Sequence, residues 1–80
     1  MARYFFDFRT DDAFMPDEEG ADLSDAGTAH EEAIDALADA MRDAALEGSV
    51  QQRFAVEVRD ELGQVLEVTA VFGSKILRKQ

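Results

Sequence analysis

Three stretches of this chain alternate large apolar and polar residues one for one, and that alternation constrains the fold more than any other feature. In Arg3 to Arg9, Tyr4, Phe6 and Phe8 share one face while Arg3, Phe5, Asp7 and Arg9 share the other. Arg53 to Arg59 groups Phe54, Val56 and Val58, and Gln64 to Phe72 groups Leu66, Val68, Ala70 and Phe72. A period of two marks a half-buried strand, with one face on a core and the other toward water. Between the last two stretches, Asp60, Glu61, Leu62 and Gly63 suit a type I turn, with Asp first and Gly last. The pair is expected to form a β-hairpin.

Ala26 to Glu47 follows a different period. Ala26, Ala29, Ala33, Ile34, Leu37, Ala40, Met41 and Ala44 fall on one half of a helical wheel, with His30 among them; Glu31, Glu32, Asp35, Asp39, Arg42 and Asp43 fall on the other. Asp25 is the expected N-cap and Gly48 the C′ stop, although Thr28 with Glu31 offers a competing capping box. The helix therefore has a dry face and an acidic face. Its alanines favour the helix and let its axis approach a sheet closely.

Thr10 to Ser24 is polar and holds Pro16 and Gly20, so it reads as a loop with a short strand near Ala13 to Met15 that Pro16 ends. Residues 73–80, GSKILRKQ, read as a basic C-terminal tail after a single domain of residues 1–72. The order β-β-α-β-β predicts an α+β fold, an antiparallel sheet of three to four strands with one long helix packed on one face. On the other face Phe5, Val65 and Val71 are candidates for an apolar interface, and strand order decides whether they meet.

Charge then limits the partners. From Asp11 to Glu47 there are thirteen acidic residues against one basic one, Arg42, and the whole chain carries a formal net charge of −10. Such a surface repels phosphate backbones and anionic headgroups, so neither nucleic acid nor a membrane is expected as a partner. Arg3, Arg9, Arg53 and Arg59 with Phe5 suggest a small basic-aromatic patch for single strands, but cross-strand pairing with Asp7, Glu57 and Glu67 explains them more simply. No run approaches the ~20 apolar residues of a membrane span, and MARYFFDFRT lacks the pattern of a signal peptide. A cytoplasmic location is expected.

Catalytic chemistry has few candidates. The absence of cysteine removes disulfides, thiolate zinc sites and a thiol nucleophile. Ser24, Ser49 and Ser74 sit in no nucleophile motif, and no glycine-rich phosphate loop is present. The acids Asp11, Asp12, Asp17, Glu18, Glu19, Asp22 and Asp25 invite a calcium or magnesium reading, but their spacing is not that of an EF-hand. His30 has no motif partner and is expected to pack near the helix start. No catalytic residue, cofactor or metal ligand is assigned. The expected function is a non-catalytic interaction module that self-associates, because eighty residues bury a small core. Glu31, Asp35 and Asp39 would offer a second surface to a basic protein partner. A metal-binding module or carboxylate enzyme is the lesser alternative.

RYFFDF at the start, PDEEGADLSD leading into a helix with Ala29, Glu32 and Ala33, and a hairpin with Asp60, Gly63, Val65 and Leu66 resemble a family of short uncharacterised bacterial proteins. That family, common in rhizobia and related alphaproteobacteria, is classed as a domain of unknown function; the resemblance spans residues 2–72. It often has histidine where this chain has Asp7. The resemblance implies a bacterial cytoplasmic protein with no established activity. A weaker likeness, in element order and acidity only, is to HicB-like antitoxins, which bind a small basic toxin.

Overall fold

The computed structural model describes residues 1–48 and 51–78. Five strands and one helix follow one another as β1 (Ala2–Thr10), β2 (Phe14–Met15), β3 (Ala21–Leu23), α1 (Ala26–Leu46), β4 (Gln51–Asp60) and β5 (Gly63–Gly73). All pairings are antiparallel, with β1 against β4 and β4 against β5, while β2 and β3 both lie on the outer edge of β1. The fold is α+β, one helix on one face of an antiparallel sheet. Strand β3 is not anticipated by the sequence pattern: Ala21, Asp22 and Leu23 pair with Tyr4, Arg3 and Ala2 inside what reads as a loop.

The alternating residues fall as their period requires. Tyr4, Phe54, Val56 and Val58 are buried beneath α1, and Phe6, Phe8, Leu66, Val68, Ala70 and Phe72 pack around them. Phe8 and Phe54 meet at 6.2 Å between ring centroids. The hairpin turns at Glu61 and Leu62, where the Asp60 carboxylate accepts the Leu62 N–H at 2.8 Å, and a bulge between Val58 and Arg59 shifts the register just before it.

Asp25 caps α1, accepting the Thr28 N–H at 2.8 Å and the Thr28 hydroxyl at 2.9 Å. Those two bonds, Thr28 N–H first, hold the Asp25 carboxyl below the usual aspartate range. Thr28 is thereby engaged as a donor, so the competing capping box does not set the helix start. Glu47 closes the C-terminal end, and Gly48 follows at φ 84° as the C′ residue.

The dry face of α1 is narrower than the wheel suggests. Ala29, Ala33, Leu37 and Ala44 are buried, with Ala40 and Met41 beside them, but Ala26, His30 and Ile34 are exposed. The expectation that His30 packs near the helix start is therefore not met. The physical reason is lateral placement: α1 rests on β4 and β5 and only touches β3, which leaves the flank that carries His30 and Ile34 exposed. After β5, Ser74 to Arg78 carry no helix or strand, and Lys79 and Gln80 of the expected tail lie outside the described residues, as does Ser49.

Candidate interaction surface

The two edges of the sheet are built differently. On the β1 edge, β2 pairs with Phe8 and Arg9, and β3 pairs with Ala2 to Tyr4. In the gap between them an Asp17 carboxylate oxygen accepts the Phe6 N–H at 3.1 Å, taking the place of a strand carbonyl. Its other oxygen accepts the N–H groups of Glu19 and Gly20 at 3.1 and 3.2 Å. Partial burial opposes ionisation of Asp17, but the N–H groups of Phe6, Gly20 and Glu19, with Arg59 nearby, outweigh it and lower its carboxyl below the usual aspartate range.

A lock across the open face holds this loop in place. The Asp7 side chain, 8% exposed, accepts the Arg59 Nε–H at 2.8 Å and the Asp17 N–H at 2.9 Å. Arg59 also donates to the Asp17 carbonyl at 2.9 Å and stacks 4.5 Å above the Phe5 ring. Gly20, at φ 72°, lies against the other side of this assembly; a Cβ there would come within 2.9 Å of Phe5 Cε2 and of the Tyr4 carbonyl. Among the described residues no buried side-chain N or O atom lacks a partner.

Among the described residues the β5 edge has no such cover. N–H and C=O directions alternate along a strand. Because Phe6 points its N–H outward to Asp17, Asp7 and its odd-numbered neighbours bond β4, and the even residues of β4 bond β5. Glu67, Thr69 and Val71 therefore aim their N–H and C=O groups away from β4, into solvent. The strand is eleven residues long, with no proline or lysine and with Glu67 as its one charge. Beyond Glu67 and the bulge at Val65 near the turn, it carries none of the devices that discourage edge pairing.

The six residues singled out from the sequence fall in three places. Phe5 lies inside the lock between Arg59 and Gly20. Val65 and Val71, 36% and 60% exposed, sit on β5 six residues apart, about 20 Å along a strand. The sheet order therefore does not bring these three into one patch. Glu31, Asp35 and Asp39 are exposed together on the outer face of α1, where Arg42 approaches Asp39 at 3.7 Å. The sequence reading anticipated cross-strand pairing of Asp7 with an arginine but not its burial or its bond to the loop, and it gave Asp17 only as one acid of that loop; both carboxylates serve the sheet itself.

Three arginines of the open face are engaged by acids: Arg3 with Asp22 at 3.2 Å, Arg9 with Glu57 at 3.2 Å, and Arg59 with Asp7. Where β1 ends, a shallow depression of ≈ 350 Å³ is lined by Arg9, Asp11, Arg53, Ala55, Thr69 and Val71 among others. Asp11 there accepts the Arg53 N–H at 3.2 Å. Among the described residues no group of three or more His, Asp or Glu side chains is placed to hold a metal ion, and no helix is long and apolar enough to cross a membrane.

This sheet, its lock and its helix span a recognised family unit. Residues 3–72 match the model of the family described as Domain of unknown function (DUF6894), and the chain belongs to that family. No curated protein and no solved structure matches the chain.

Proposed function

We propose that this chain is a non-catalytic protein-interaction module of the bacterial cytoplasm that self-associates, and that β5 is the edge through which it does so. The observation that carries the reading is the contrast between the edges, one closed by β2, β3 and the Asp17 carboxylate, the other bare over eleven residues.

Surface area supports it. The chain exposes 5870 Å², about 1,000 Å² more than the surface expected of a folded monomer of its mass. A standard interface covers about 800 Å² on each partner. The radius of gyration, 14.7 Å, likewise exceeds the roughly 12 Å of a compact domain of this length.

Light scattering of the full chain at micromolar concentration tests the reading. A mass of twice 8.9 kDa is expected. A strict monomer overturns it.

A second reading has its own observation. Glu31 and Asp35 stand exposed on the outer face of α1 with Asp39, and the described ion pair there is Arg42 with Asp39. A basic protein partner, as for an antitoxin-like module, would be held by that face and released as salt rises. Capture from the native host at low and high salt distinguishes it, since a partner retained at high salt contradicts charge-steered binding.

A further inference from the structure

The uncharged flank of α1 lies on the same side of the molecule as the bare edge. This follows from the hand of the chain. Viewed from the helix side with α1 running upward, β1 also runs upward, and its helix-facing residue Phe6 sends its N–H to the right, to Asp17. The guarded edge is therefore on the right and β5 on the left. A right-handed helix running upward with Ala33, Leu37 and Ala44 against the sheet turns His30, Ile34, Ala38, Met41 and Ala45 to the left. Glu32 and Asp43 turn right, and Asp35 points away from the sheet. From His30 to Ala45 the left flank bears no acid, Glu31 lying at its upper rim, and Ile34 on it is 45% exposed.

Resting on the self-association reading, we propose that the occupant of this flank is the same flank of a second copy. Two chains pair antiparallel through β5, and their helices close against each other, antiparallel, above the new strand pair.

Strand spacing makes the distances agree. Neighbouring strands lie about 4.8 Å apart, so a dyad between two β5 strands runs about 2.4 Å beyond each. Helix α1 rests on β4 and β5 alike, which sets its axis about 5 Å from that dyad. The two axes are then about 10 Å apart, within the range at which helices pack. Alanines at 38 and 45 suit that approach, and Ile34 and Met41 fill the seam. Charge agrees as well: the two acidic faces point up and outward, so the dyad does not press acid on acid.

Sedimentation of the full chain tests the pairing, with folding followed by circular dichroism. Ile34 is exposed in one copy, so Ile34→Glu and Ile34→Lys keep the fold; both are expected to weaken the dimer at least tenfold. Thr69→Pro, which removes an outward N–H and no bond to β4, is expected to give a folded monomer. Should that variant lose its fold, slow amide exchange at Thr69 in the wild-type chain replaces it as the report on the edge. A wild-type dimer that Thr69→Pro dissociates and both Ile34 variants leave unchanged overturns the helix pairing and keeps the β5 edge. A monomeric wild type overturns the self-association reading itself.

Discussion

Arg59 reaches across from β4 to β1 and places its Nε 2.8 Å from a carboxylate oxygen of Asp7, on the face of the sheet away from the helix. The Asp7 side chain is 8% exposed and the Arg59 side chain 40%. That asymmetry sets different costs for losing each partner. Arg59→Ala strands a buried carboxylate and also removes the bond to the Asp17 carbonyl, at an expected cost of about 3 kcal/mol. Asp7→Ala leaves a guanidinium that water still reaches and removes the acceptor of the part-buried Asp17 N–H, at about 2 kcal/mol. Urea denaturation measures both; equal costs contradict the burial asymmetry.

Gly20 and Gly48 both hold positive φ, at 72° and 84°, but only Gly20 is enclosed. Gly48→Ala is expected to cost about 1 kcal/mol, the backbone term alone. Gly20→Ala adds a collision with Phe5 and the Tyr4 carbonyl and is expected to cost about 2 kcal/mol or more. Comparing the two midpoints checks it. A Gly20→Ala chain as stable as Gly48→Ala means the loop is not seated against Phe5.

Acid should loosen the fold through Asp17 and Asp25, whose carboxyls both titrate below the usual range in the folded chain. As pH falls, the unfolded chain binds those protons first, so stability is full above about pH 5, declines through the ordinary aspartate value of about 4, and is lost below the folded values. Asp17→Asn and Asp25→Asn keep an acceptor and remove the titration. Each should flatten the dependence of Tm on pH between about 3 and 5. An unchanged slope in both variants contradicts the bonds assigned to these carboxylates.

Much of the fold was legible because periodicity reports burial directly. Tyr4, Phe54, Val56 and Val58 were identifiable as core from alternation, and Asp25 and Gly48 bounded α1 by capping chemistry alone. Three features were not legible, each for a physical reason. Strand β3 is three residues long with one large apolar side chain, too short for a period to show. Asp7 reads as a solvent-facing residue of an alternating strand, since its burial depends on Asp17 and on Arg59, 52 residues away. The exposure of His30 and Ile34 depends on where the helix sits across the sheet, which a wheel does not contain. Had alternation been carried one step further, to the direction of each N–H, the outward groups of β5 would still have required the strand order.

Amide hydrogen exchange along β5 tests the central claim most directly, because it reads the bare edge without altering it. If two copies pair there, the N–H groups of Glu67, Thr69 and Val71 exchange as slowly as those of Val68 and Ala70, which bond β4, and their protection falls on dilution. Exchange of those three at the rate of free amides, at every concentration up to millimolar, would contradict the account.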